Sequence, residues 1–293
     1  MIYICIPAHD EARTIGVLLW KIRTVMGEFQ RDYQILVVDD ASDDGTDEVL
    51  APYARVLPLH IRRNKKQAGY AAALEHGLRE AVRRAPYPKR DVIVTLQADF
   101  TEEPGQIPDL VKRIEGGADV VTGEMSLGVH QGPNAVRWSR RAWSYLLRRS
   151  DWQGAEHDPL SGFRAYRVMV LKKALDAVGD QPLLTMDGWA ANAQLLAAAL
   201  PHARRAEEVP VDVRYDRRER PSRFHALQNA RQIIKLMRAR GDGAAAADNR
   251  LEVDGAWQAP ERQVDRKPQG GGRRRRGRRG RGKGGGQTSS AAS

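Results

Sequence analysis

Three short aliphatic runs, each broken off by carboxylates, constrain this chain more than any other feature. They lie at residues 2–6 of "MIYICIPAHDE", 35–38 of "QILVVDDASDDG" and 91–100, "DVIVTLQADF". Apolar runs rich in β-branched residues, without polar alternation, read as strands covered on both faces. In the first interval Ile15, Leu18, Leu19, Ile22, Val25 and Met26 recur at helical spacing from Thr14 onward. Strands alternating with helices imply an α/β fold with a mostly parallel, doubly wound sheet. Ligands in such sheets bind outside the carboxyl ends of the strands. "PAHDE", "DDASDDG" and "QADF" all fall there.

The pattern continues with a helix from about Thr46, a short strand near 55–59 and a helix over 68–85. A helix over 109–117, closed by glycine, and a strand over 118–124 follow. The acidic turn after the second strand needs its own explanation, because Asp39, Asp40, Asp43 and Asp44 repel one another. A calcium loop fails: with Gly45 at the sixth position, Ala51 stands twelfth, where a bidentate Glu is required. A solvated capping turn is the plain alternative. Three acidic clusters at one sheet edge point instead to a ligand.

The formal charge of +11 is not a property of the fold, since residues 262–293 carry about +10 of it and leave the preceding body nearly neutral. "GGGRRRRGRRGRGKGGG" has no apolar residue to bury and reads as a disordered tail. The expected organisation is a folded domain over 1–240, a linker over 241–261 opened by "GDGAAAADNR", and the tail over 262–293. The single cysteine, Cys5, permits no internal disulfide and fits a reducing, cytoplasmic setting. The start reads as a strand and not as a signal peptide, and no window approaches the ~18 apolar residues of a membrane span. Membrane contact, if any, is therefore expected to be peripheral. Residues 134–149, basic with Trp138, Trp143 and Tyr145 interleaved, read either as an interfacial helix or as a core helix with a solvated basic face. The tail suits an anionic membrane surface or RNA.

Six segments, in order, resemble the inverting family 2 glycosyltransferases with the GT-A fold, above all the polyprenyl-phosphate sugar transferases such as the dolichol-phosphate mannose synthases. These are "IPAHDEARTIGVLL", "VVDDASDDGT", "NKKQAGYAAALEHGL", "VTLQADFTEEP", "DPLSGFRAYR" and "DRRERPSRF", together covering roughly residues 2–240. Each alone is a weak signal; their order carries the weight.

The resemblance implies a nucleotide-diphosphate sugar as donor, a divalent metal (Mg or Mn) and, for the closest members, a lipid phosphate acceptor. Pro7, His9 and Glu11 match the loop around the base and ribose, with His9 where an aromatic is usual. Asp39 matches the acidic residue that accepts from base or ribose, while Asp40 reads more as a turn and capping residue. Lys66 and Gly69 lie where the nucleotide is approached, with Lys65 nearly as good a candidate. Gln97, Ala98 and Asp99 occupy the metal motif. Asp99 is the expected ligand, and Gln97 departs from the family by replacing its first aspartate, so it can offer a carbonyl oxygen but no charge. The plain alternative is that Asp99 caps a turn.

On the acceptor side the match implies Ser161, Gly162 and Arg164, with a buried structural Arg164 as the competing reading. Arg217, Ser222 and Arg223 match a terminal motif whose two cations suit phosphate. A lipid phosphate is already anionic and needs no general base. A hydroxyl acceptor would need one, and Asp187 could serve, though an N-cap is its other reading. Readings from other classes are a nucleotide-binding protein without catalysis and an RNA-binding protein using the tail.

Overall fold

The computed structural model describes residues 1–125, 142, 145, 158–186, 188–212 and 256–258. Strands β1 (Ile2–Ala8), β2 (Tyr33–Asp39) and β4 (Val92–Thr95) are the aliphatic runs of the sequence, and β3 is Leu59–Arg63. They alternate with α1 (Ile15–Phe29), α2 (Thr46–Ala54) and α3 (Tyr70–Arg84). Helix α4 (Ile107–Glu115), β5 (Val120–Met125), β6 (Arg164–Arg167), α5 (Val168–Val178), α6 (Trp189–Ala199), β7 (Ala206–Val211) and β8 (Trp257–Gln258) complete the described elements.

All strands join one mixed sheet in the order β7-β5-β6-β4-β1-β2-β3-β8. Strands β1 to β4 are parallel, β5 and β7 are parallel to each other, and β6 runs antiparallel to both of its neighbours, β4 and β5. The carboxyl ends of six strands and the amino end of β6 therefore share one edge.

The sheet separates two cores. On one face Ile15, Leu18, Leu19 and Ile22 of α1, Leu50 of α2 and Ile107 and Leu110 of α4 pack on Ile4, Ile6, Ile35 and Val37. On the other, Leu74 and Leu78 of α3, Leu171 of α5 and Leu196 of α6 pack on Tyr3, Cys5, Leu36 and Ile93. Helix α1 after β1 and helix α3 before β4 thus lie on opposite faces. The chain reverses its winding between β1 and β4, the place where a crevice opens in sheets of this kind.

One sequence expectation is corrected. The third strand is not near 55–59 but at Leu59–Arg63, because α2 runs on to Ala54 and a turn closes it, Leu57 N donating to Tyr53 O at 2.9 Å. "LHIRR" hides its strand character: Leu59 and Ile61 face one core, while His60 and Arg62 are buried on the opposite side. The stretch read as a linker also contributes structure. Trp257 and Gln258 pair antiparallel with Arg62 and Ile61. The described residues contain no helix long and apolar enough to cross a membrane.

Candidate active site

The acidic turn after β2 is a joint between two loops. Asp10 N donates to Ser42 Oγ, Glu11 N to Thr46 Oγ1 and Ala12 N to Asp44 Oδ2, each at 2.9 Å, and Asp43 N returns to Asp10 Oδ1 at 3.0 Å. Burial pushes the Asp44 carboxyl up, but bonds from the Thr46 hydroxyl and from backbone N–H groups outweigh it and leave the pKa below its ordinary value. Asp40 is buried and reaches across to the next loop, its Oδ1 accepting from Asn64 Nδ2 (2.7 Å) and Ala68 N (2.8 Å) and its Oδ2 from Gly69 N (2.8 Å). Gly69 takes φ 94°, a conformation that side-chain-bearing residues rarely adopt, and α3 starts from it. Lys66, on the same loop, is exposed.

Asp39 differs from its neighbours. It is fully buried, its Oδ1 accepts from both the backbone N–H and the hydroxyl of Ser42, and its Oδ2 accepts no hydrogen bond. Arg63 Nε lies 3.5 Å from that oxygen, while the Arg63 guanidinium also pairs with Asp47 and donates to Ser42 O at 2.9 Å. A buried acceptor without a donor is costly unless a ligand completes it. His9, one residue past the Ala8 that pairs with Asp39, is half-buried, its Nε2 3.4 Å from Asp10 Oδ2 and its Nδ1 shielded without a hydrogen bond. Pro7 is buried within β1, and Glu11 is buried with Oε2 accepting from Thr14 Oγ1 at 2.9 Å.

The turn after β4 carries Gln97, Ala98 and Asp99. Asp99 is buried, and its Oδ1 accepts from Thr101 N (3.1 Å) and Thr101 Oγ1 (2.6 Å), so one of its oxygens does shape the turn. The Ala98 methyl belongs to the core. Glu102, which the sequence reading passed over as part of the turn, is buried against Gln97. Its signal was a carboxyl five residues beyond the one polar, uncharged departure from the motif.

Non-glycine residues with positive φ sit in all three loops: Asp10 (51°), Ala41 (55°) and Phe100 (59°). Each costs on the order of 1 kcal/mol and persists only where its surroundings hold it, as binding loops do.

Opposite these loops stands the lead-in to β6. Ser161 is buried and bonds within its own turn, with Phe163 N at 3.3 Å. Gly162 O accepts from Thr95 Oγ1 at 2.6 Å, tying the segment to β4. Arg164 does not line an open site. It is buried, its Nη1 donating to Asn192 O (2.5 Å) and its Nη2 to Asp158 O (2.8 Å), which is the structural role weighed as its alternative. Tyr70 OH donates to Asn192 Oδ1 at 2.9 Å in the same buried cluster. Asp187, Arg217, Ser222, Arg223 and, apart from Ala142 and Tyr145, the segment 134–149 lie outside the described residues.

The family model for "Glycosyl transferase family 2" matches residues 3–175, which takes in all of these strand-end loops and β6. The chain belongs to glycosyl transferase family 2. Among curated proteins, this family 2 member is 29% identical over 181 residues to an undecaprenyl-phosphate 4-deoxy-4-formamido-L-arabinose transferase of Pseudomonas aeruginosa, covering 60% of this chain and 49% of that one. The enzyme of the same name from Aeromonas hydrophila is 27% identical over 155 residues, covering 51% and 43%. The chain thus spans about half the length of the curated relatives it matches. Among solved structures, glucosyl-3-phosphoglycerate synthase from Mycobacterium tuberculosis, in complex with Mn2+, UDP-glucose and phosphoglyceric acid, aligns with a TM-score of 0.56 at 19% identity, over 84% of this chain and 81% of that one. Mannosyl-3-phosphoglycerate synthase from Rubrobacter xylanophilus aligns with a TM-score of 0.56 at 15% identity, over 89% and 87%. These likenesses show the GT-A fold read from the sequence.

Proposed function

We propose that the chain transfers a sugar from a nucleotide-diphosphate donor to a polyprenyl phosphate by metal-assisted inverting displacement. One observation carries the donor half of this reading: the buried Oδ2 of Asp39, which accepts no hydrogen bond and has the Arg63 guanidinium 3.5 Å away, at the same sheet edge as Gln97 and Asp99. It would accept from a base N–H or a ribose hydroxyl, with Pro7, His9 and Glu11 forming the wall of the nucleotide site and the loop of Lys66 and Gly69 closing over it.

The carboxyl-rich edge repels a diphosphate, so an anionic donor needs a divalent cation between them. Among the described residues no group of three or more His, Cys, Asp or Glu could hold a metal unaided. Hard cations are commonly held by one or two protein oxygens plus substrate phosphates, and the Asp99 carboxylate with the Gln97 carbonyl oxygen fits that kind of site. When bound, the metal would screen the charge that develops on the leaving diphosphate, worth several kcal/mol in the transition state. Gln97 adds no charge, so metal affinity should be modest. Asp99 orients through its bond to Thr101, and Gly162 brings the β6 lead-in against the same turn.

The acceptor reading draws on the curated relatives, whose name specifies undecaprenyl phosphate. A phosphate oxygen attacks without losing a proton. Arg217 and Arg223, with Ser222, are the proposed phosphate contacts, and Asp187 is the proposed base should the acceptor be a hydroxyl. For residues 262–293 we propose recruitment to an anionic membrane surface, and salt-sensitive RNA binding without vesicle binding would reassign them.

The test is transfer of radiolabelled sugar from UDP-, GDP- and dTDP-sugars to undecaprenyl phosphate with Mn2+ or Mg2+. Product with one donor supports the proposal. Donor hydrolysis without transfer to the lipid would reject the acceptor, and neither would leave a nucleotide-binding protein without catalysis.

A further inference from the structure

We infer that Glu102 is the positioning residue for Gln97, and that the two side chains act on the donor site as one unit. This rests on reading the edge as a metal-assisted nucleotide site. Gln97 N donates to Glu102 Oε2 at 2.8 Å, and Gln97 Nε2 approaches Glu102 Oε1 at 3.5 Å. An amide side chain has a donating and an accepting end. A carboxyl that accepts at the Nε2 end fixes that end inward and turns Oε1, the only end that can face a cation, the other way. Left to rotate, Gln97 would present its NH2 as readily as its oxygen.

The pair is enclosed, so this orientation is held. Glu102 is 1% exposed. Behind it runs the backbone at Gly162. A Cβ there would lie 3.0 Å from Gln97 Nε2, 3.2 Å from Glu102 Oε1 and 3.4 Å from Asn192 Nδ2. Any side chain at that position would push on both groups at once, so glycine is what lets the β6 lead-in close over them. The carboxyl's field extends further: burial pushes the Tyr70 phenol up, and Glu102 adds to that shift. Glutamine at the motif's first position is thus coupled to a buried carboxyl. The charge the family usually places at residue 97 stands one shell back at Glu102, and the amide relays an oriented oxygen.

Isothermal titration of the full chain with UDP and with GDP, each with and without Mn2+, tests this through one ratio: Kd without metal over Kd with metal. A purely structural role would shift both constants together and leave the ratio alone. Glu102→Gln, which keeps the volume but lets either end of the new amide meet Gln97, should lower the ratio about tenfold. Gln97→Ala should do the same, and the double variant should lose no more than either single one. Gly162→Ala, which keeps both side chains, should also lower it. An unchanged ratio in Glu102→Gln or Gly162→Ala, or losses that multiply in the double variant, would overturn the inference. A ratio of one in the unaltered protein for both nucleotides would instead overturn the donor-site reading beneath it.

Discussion

The loops after β1, β2 and β4 and the segment leading into β6 meet at one sheet edge, yet they use their polar residues in opposite ways. After β2 the carboxyls of Asp40 and Asp44 are occupied by backbone N–H groups of the neighbouring loops, and the scaffold they make leaves Asp39 Oδ2 without a hydrogen bond. On the β6 side Ser161 and Arg164 are consumed inside the protein: the hydroxyl bonds within its own turn, and the guanidinium holds carbonyls of Asp158 and Asn192. A polar residue at a functional edge is therefore not evidence of contact with substrate. What distinguishes the two regions is the kind of group left over: after β2 a carboxylate oxygen that accepts no hydrogen bond, at β6 only the Nε of a guanidinium whose two Nη atoms are both engaged.

This contrast can be broken or sharpened by substitution. The largest expected effect falls on stability at β6: Arg164→Met strands two buried carbonyls, a loss on the order of 3 kcal/mol and a fall of several degrees in Tm. Metal-enhanced nucleotide binding should survive in the protein that remains folded. A variant with unchanged Tm and lost turnover would make Arg164 a substrate residue and erase the contrast. Asp99→Ala should show the reverse. Nucleotide affinity in Mn2+ should fall about a hundredfold, equivalent to ~2.7 kcal/mol. Stability should drop only by about 1 kcal/mol, the worth of the turn bonds to Thr101.

How much of this was legible in the sequence differs between the same two regions. Strands β1, β2 and β4 announced themselves because they are buried on both faces, and their loops because carboxylates there have no core role. Strand β3 was misplaced since His60 and Arg62 are polar yet buried, His60 against Arg84 of α3 and Arg62 paired with Trp257 of β8. Arg164 could not be read from "SGFR": a cation in a four-residue strand says nothing of the helix whose carbonyl it meets 28 residues later. Glu102 stayed hidden because its partner is defined by the fold of a turn and by a backbone approach from Gly162, neither of which leaves a periodicity.

A smaller, pH-dependent effect locates the sensitive half. Burial pushes His76 and His60 down to about 4, with Arg62 and Arg84 respectively adding to it. The unfolded chain protonates these rings near pH 6.5 and the folded chain only near 4. Stability is therefore full above pH 6.5 and is lost as pH falls through that window. A Tm series from pH 7 to 4.5 should fall, and His76→Gln should flatten it. An equal slope in that variant would place the acid sensitivity elsewhere. The smallest effect is expected from deleting residues 262–293, which should leave nucleotide affinity within about twofold while abolishing co-sedimentation with anionic vesicles at low salt. Full-length protein that ignores such vesicles would end the tether proposal.

The central claim is that the Asp39 oxygen left without a hydrogen bond is a nucleotide contact in a metal-assisted donor site. It is tested most directly by titrating UDP and GDP, with and without Mn2+, into the unaltered protein and into Asp39→Ala. The account predicts that one nucleotide binds with metal enhancement and that Asp39→Ala weakens it about tenfold or more, both with metal and without, in a protein whose circular-dichroism spectrum is unchanged. Equal affinity in the two proteins would contradict it.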